Sequence, residues 1–501
     1  MKKQITAKVP ICPDSICIGI YRKYGRIFIL TLFIVGLALW LRLYKIGLHS
    51  YRSEEIIRVV IASEDLKASI TSDVFRSYFF QLLLHLWIRI FSNSEFATRV
   101  LSALFGAFAI IPLYFLVKLL ADKKTAILVL YLSAISPFYI LFSRLAEDIG
   151  LWLFLIALSL LFFLVYCKEN KGLIAYVIST ILMLYSGPLG FLILGAEWIF
   201  LLRWYRQGRF KKWLIAQSFI LFGYSAWLVR FCSGFSAESA GIDRMPTSFF
   251  NKIAYLFFTF SLGETVSPWN WKIVCPFAII IMALLSRGIL NLRLKQKCVS
   301  FIYTFFLISL ASLFTSRGSP EYCICASIMF YIVLALGLEK LKMPLFLSGI
   351  GIITLFNSYS LYNLYTDKEY NIQSFTDKWR EVADFVYKLS DKKTRVIASH
   401  PSFIWYYNAE NLLIFDCEKY WDTLKEIDGA KKIILVKTPL SCPFYPKDKR
   451  LYRFENWIEK RFALTQTIGF CENENYRIKR RLLKRAFPQF RIQILVYELN
   501  I

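Results

Sequence analysis

Two adjacent carboxylates, Glu54 and Glu55, stand in a polar stretch that also carries His49, Tyr51, Arg52 and Arg58. Paired acids can supply a general base and a second group that orients the first or holds a metal. An ordinary solvated loop pair is the plain alternative. Against it weigh the length of the loop, 45–97, and its place directly after the first apolar run. A second acidic pair, Glu147-Asp148, follows Arg144 in SRLAEDIG. Acids at a helix start are favoured by the helix dipole, so capping explains that pair as readily as a divalent ion (Mg, Mn or Zn) would. The planar donor fork of arginine suits phosphate oxygens, which makes Arg144, Arg52 and Arg317 candidates for holding a phosphate. For Arg317 a topogenic or solvated role is equally open. Glu264, in FSLGETVSPW, is a weaker candidate, and His85, in an apolar helix, reads as a packing residue. With three histidines in all, a His-rich metal centre is excluded.

These groups need elements to bring them together, and composition says what kind. Of 501 residues, 57% are hydrophobic and 17% aromatic, more than a soluble core requires, and long uncharged runs recur. The net charge of +26 could suggest nucleic acid, but the Lys and Arg residues fall between apolar runs rather than along one polar face. Positive cytoplasmic loops of a membrane protein explain that placement, and nucleic acid is set aside as a partner. Eleven cysteines, an odd number without CxxC pairs, give no metal-ligand spacing.

Candidate spans, judged against the roughly 20 apolar residues a bilayer needs, occur at 27–44, 98–118, 125–142, 150–166, 172–185, 188–202, 213–231, 272–286, 298–316, 321–338 and 343–361, of which 172–185 and 188–202 are short. The sequence therefore predicts a polytopic α-helical membrane protein with about eleven transmembrane helices. The run 78–91 carries His85 and Arg89 and is expected to lie at the interface, as is 251–262. The polar, basic start reads as an uncleaved anchor with its amino end inside the cell. On that count Lys118, Lys123 and Lys124, the group Arg203 to Lys212, and Arg287 to Lys297 all fall in inner loops. The short outer turns hold only Arg144 and Arg317. Short-loop Lys/Arg excess sets orientation, so the alternation is self-consistent. The loop 45–97, the turn with Glu147-Asp148, the loop 232–271 and the turn 317–321 then share the outer face.

Residues 1–364 form the membrane domain on this reading, and 365–501 a small extracytoplasmic α/β domain. The β-rich runs 394–400, 411–417, 431–438 and 491–499 alternate there with helical stretches such as FTDKWREVADFVYKL and LYRFENWIEKRF. The basic run 477–487 reads as a solvated face.

The ordered set now has a likeness. A first span, an outer loop opening with an acidic pair, an LLLHLW interfacial helix and then the stretch from NSEFATRV to SRLAEDIGL resemble the GT-C glycosyltransferases. More narrowly, the resemblance is to the dolichyl-phosphate-mannose protein mannosyltransferases and the bacterial aminoarabinose transferases, best over 41–165. The family usually has Asp-Glu at Glu54-Glu55, a Pro-Pro-Leu-Tyr-like run at 76–80, and Arg-Tyr at Glu321-Tyr322. The resemblance implies transfer of one sugar, with inversion, from a polyprenyl phosphate to a protein, lipid or glycan hydroxyl at the outer face of a prokaryotic inner membrane. It would cast Glu54 and Glu55 as the catalytic acids, Arg144, Arg52 and Arg317 on the donor phosphate, and Glu147 and Asp148 on a metal. A carrier or flippase for a lipid-linked sugar, and a catalytically silent relative with a binding role, are the competing readings. Carriers place ionisable groups at mid-membrane depth, whereas here they gather in loops and at helix ends.

Overall fold

The computed structural model describes residues 14–71, 77–187, 189–202, 210–233, 249–292, 301–307, 320–371, 373–415, 427, 429–438, 449–472, 476–483 and 489–499. Apolar runs become helices here because a chain in lipid must satisfy its own N–H and C=O groups. They are α1 (Asp14–Leu43), α2 (Ser53–Ser63), α3 (Leu66–Thr71), α4 (Tyr78–Ile90), α5 (Glu95–Phe108), α6 (Ile110–Leu120) and α7 (Lys123–Ile135). The series continues with α8 (Pro137–Ser143), α9 (Ile149–Glu169), α10 (Leu173–Ser186), α11 (Gly190–Leu202), α12 (Phe210–Ser233), α13 (Phe249–Leu262) and α14 (Trp271–Leu292). A helical piece at 301–307, a 3-10 turn at Pro320–Cys323 and two long helices, Ile324–Glu339 and Met343–Tyr365, complete the bundle.

Every expected span is mostly helical where it is described. Among the described residues, however, five helices have the length and apolarity to cross a bilayer, or six if a bent pair counts as one span. Phe28–Leu43, Leu173–Ser186 and Gly190–Leu201 are apolar but shorter. The chain is thus a multi-pass membrane protein. The bent pair corrects the sequence reading, because the run 125–142 is not one helix. It breaks at Ser136, with α7 and α8 at 54°. Pro137 is the cause: it disfavours helical backbone in the residue before it, and Ser136 is extended at φ −63°, ψ 118°. The Ser136 hydroxyl then accepts from the Tyr139 amide at 3.1 Å and starts α8 afresh.

Helix α4 is amphipathic. Tyr78, Phe80, Gln81, Leu84 and His85 are buried, while Leu86 and Ile90 are exposed. Its 13 residues rise about 20 Å, short of the ~30 Å of a hydrocarbon core. His85 packs as expected, with Nδ1 2.9 Å from the Ala62 carbonyl.

Helix α5 meets α9, and the end of α8, almost backbone to backbone. A Cβ on Gly150 would lie 2.5 Å from the Ser102 carbonyl, and one on Gly106 would lie 2.3 Å from Ser143 Cβ. Glycine lets this contact form. It presses the turn 144–148, between α8 and α9, against α5.

The carboxyl-terminal part is built on β1 (Thr394–Ala398), β2 (Leu412–Ile414), β3 (Lys432–Lys437), β4 (Phe462–Glu472) and β5 (Phe490–Leu499), in the order β2-β1-β3-β5-β4. β1 runs parallel to β2 and β3, whereas β5 is antiparallel to β3 and β4. Side chains alternate between two apolar layers. Ile397, Ile433, Leu435 and Tyr497 face Phe454 and Ile458 of the helix Lys449–Arg461. Val396, Ile434, Val436 and Val496 face Trp379, Val382 and Val386 of the helix Trp379–Leu389. The sequence reading has no counterpart for β4. This edge strand is largely exposed and shows no apolar alternation to read.

Candidate functional site

The site grows from the start of α2. Its first turn carries Glu54 and Glu55, where acids complement the helix dipole. Glu55 is fully buried, and its two oxygens take four donors. Arg99 Nε and the Ala146 amide reach Oε1 at 2.7 and 2.8 Å, while Arg99 Nη2 and the Arg52 amide reach Oε2 at 2.8 and 3.0 Å. A carboxylate offers about four such positions, so none is left over. Burial alone would push the Glu55 carboxyl up, but the Arg99 guanidinium and the hydrogen bonds hold it below its ordinary range. Arg99 spends its other donors on the carbonyls of Ile46, His49 and Ser50 at 3.2, 2.9 and 3.1 Å. Glu55 and Arg99 therefore tie α2, α5, the loop after α1 and the turn before α9 into one unit.

Glu54, one residue away, is exposed, with half of its side chain open to solvent. Its Oε2 lies 3.5 Å from Arg52 Nη2. Arg52 Nη1 lies 3.4 Å from Glu147 Oε1, and the guanidinium covers the Phe375 ring at 4.1 Å. Glu147 is buried, its main-chain carbonyl held by Ser102 Oγ at 2.8 Å. Burial pushes its carboxyl up to about 8 against the pull of Arg52 and Arg58. Asp148 is paired with Arg58 Nη2 at 2.8 Å, and burial raises it too. The two acids expected to hold a metal are thus each committed to their own arginine. Among the described residues no three His, Cys, Asp or Glu side chains converge on one point.

Arg144 is buried and points into backbone. It donates to the carbonyls of Arg42 and Lys45 at 3.1 and 3.0 Å and also to that of Tyr44, all at the end of α1. It satisfies orphan helix-end carbonyls. His49, Ser50, Arg52, Glu55, Arg99 and Arg144 help to line a cavity of about 30 Å³, room for a water or two and far too small for a sugar. Glu264 is buried; it accepts from Tyr255 Oη at 2.6 Å, and burial pushes it up to about 8. Arg317 lies outside the described residues.

The structure brings Arg52, Glu54 and Glu147 into one chain of contacts, with Arg58 and Asp148 alongside. It sets Glu55 and Arg144 behind them as framework. Sequence reasoning missed Arg99 and His400. Arg99 had a signal: a charge at the start of an apolar run must find a partner. His400 had none, because it comes from the sheet domain, 345 residues after Glu55 in the chain.

With this geometry in view, the likeness drawn from the sequence is borne out. The family model described as dolichyl-phosphate-mannose-protein mannosyltransferase matches residues 76–222. None of the curated proteins matches the chain. Solved structures share its fold, two of them as follows. ArnT from Cupriavidus metallidurans, bound to undecaprenyl phosphate, superposes with a TM-score of 0.57 at 10% identity, covering 93% of this chain and 97% of that one. The oligosaccharyltransferase AglB from Archaeoglobus fulgidus, in complex with an inhibitory peptide and a dolichol-phosphate, gives 0.50 at 15% identity over 85% of this chain and 71% of that one. The chain is therefore similar to the protein mannosyltransferases over 76–222 and carries the GT-C membrane fold.

Proposed function

We propose that the chain is a GT-C-type membrane glycosyltransferase that moves a single sugar, with inversion, from a polyprenyl phosphate to an acceptor hydroxyl at the outer membrane face. The observation that carries this reading is the unequal treatment of the four outer acids. Glu54 alone is open to solvent, beside an arginine that a phosphate could share. The donor's tail lies in lipid, so its anomeric carbon must react at the bilayer surface, level with these loops. Glu54 takes the acceptor's proton as general base. The freed oxygen attacks the anomeric carbon from the face opposite the phosphate, the C–O bond to phosphate breaks, and its electron pair leaves with the lipid phosphate. Arg52 meets that growing charge, with Glu147 behind it keeping the guanidinium in place. Glu55 and Arg144 act as positioning residues, since their partners occupy them fully. The similar proteins bound to undecaprenyl phosphate and to dolichol-phosphate with a peptide support the donor class. The amino end would lie in the cytoplasm and the sheet domain outside a prokaryotic inner membrane; the acceptor would be a protein, lipid or glycan hydroxyl.

The test is turnover of polyprenyl-phosphate sugars by the purified full chain in nanodiscs. Wild-type protein should release polyprenyl phosphate, and Glu54→Gln should lower the rate by about 10²–10⁴ with its unfolding temperature unchanged. Undiminished turnover by Glu54→Gln would remove the base. Failure of wild type with every donor would leave a binding role in place of transfer.

A further inference from the structure

The reaction so described leaves unused a half-buried histidine of the sheet domain, and it touches the residue next to the proposed base. The geometry points to His400 as a positioning residue that the outer domain supplies to the site, fixing the first turn of α2 and so the aim of Glu54. This rests on the reading of Glu54 as the base.

His400 Nδ1 accepts from the Ser402 amide at 3.3 Å. The ring proton must then sit on Nε2, which lies 3.1 Å from Ser53 Oγ and donates to it. The ring plane is fixed as well, since the imidazole stacks on Trp379 with centroids 4.1 Å apart at 17°. Burial keeps the ring uncharged, its pKa pushed down to about 4, with the charge of Glu54 opposing the shift. A neutral ring of one tautomer in one orientation is a rigid donor. Ser53 is the first residue of α2, directly before Glu54.

The two preceding residues are held from the same side. The Tyr51 amide donates to Tyr406 Oη at 2.8 Å, and Arg52 lies over the Phe375 ring. Tyr406 in turn donates to Glu95 at 2.6 Å, which locks it to the start of α5. Three consecutive residues leading to Glu54 are thus each gripped by a side chain that follows the last membrane helix. The bundle carries the base, and the sheet domain completes its placement. Catalytic groups need placement to roughly 0.5 Å, and a misplacement of about 1 Å can cost 10²-fold in rate.

The test uses the full chain in nanodiscs with two variants. His400→Phe keeps the stack on Trp379 and removes the donor, whereas His400→Gln returns an N–H at similar reach. His400→Phe should lower kcat about tenfold with KM for the polyprenyl-phosphate sugar within about twofold. His400→Gln should recover most of that loss. Amide hydrogen exchange over 53–57 should be faster in His400→Phe than in wild type. Wild-type kcat in His400→Phe, or a loss that His400→Gln does not restore, would overturn the proposal. Should wild type turn over no donor, the transferase reading falls by itself. Exchange then decides separately, and unchanged protection of 53–57 in His400→Phe would overturn the role of His400.

Discussion

The two acidic pairs look alike in the sequence, yet the fold treats all four carboxylates differently. Glu55 is sealed under Arg99 and two backbone amides, whereas its neighbour Glu54 faces solvent. Glu147 is buried near Arg52 and pushed up to about 8, while Asp148 is drawn to Arg58. The difference shows that adjacency along a helix says little about role. Successive residues on a helix point about 100° apart, so one of two neighbours enters the packed interior while the other stays outside. The buried member becomes framework because an ionised carboxylate can leave water only if it is fully paired. The exposed member stays solvated, with a loose ion pair to Arg52 at 3.5 Å.

That contrast can be broken most forcefully at Arg99. Arg99→Met would leave Glu55 buried with its charge unanswered, and the expected cost is about 3–5 kcal/mol of stability, seen as a large fall in unfolding temperature. A variant as stable as wild type would show that Glu55 is not framework. Asp148→Asn probes the other pair more gently. It keeps the shape and weakens a charge-assisted hydrogen bond to Arg58, which should cost about 1.5–3 kcal/mol. A change below about 0.5 kcal/mol, the usual range of surface substitutions, would put Asp148 among the free acids with Glu54.

A third test sharpens the comparison through pH. An unfolded chain protonates His400 near its ordinary 6.5, while the folded protein keeps the ring neutral down to about 4. The unfolded state then binds more protons across that window, so the stability His400 confers is whole above 6.5 and fades as pH falls towards 4. The gap in unfolding temperature between wild type and His400→Phe should therefore narrow on acidification from 6.5 to 4. A gap that widens would mean the charged ring is the one the fold prefers.

The helices, the amphipathic pattern of α4 and four of the five strands could be read from the chain. Apolar runs in lipid have one solution, and period-2 alternation in a sheet buried on both faces leaves short apolar strands. The break at Ser136 was also written there, in the proline that follows it, though a hydropathy run hides it. β4 was not legible, because an exposed edge strand has no apolar pattern. The acids at 54, 55, 147 and 148 and the arginines at 52 and 144 could be singled out by type and loop, but their division into free and sealed could not. That division depends on Gly106 and Gly150 letting α5 press against α8 and α9, which brings Arg99 and the Ala146 amide to Glu55, and on the sheet domain bringing His400 to Ser53. Sequence determines which groups a chain can bury or bond locally. Which of two equal carboxylates receives the distant partners is decided when separate elements pack, because the desolvation of a charge is set by neighbours hundreds of residues away.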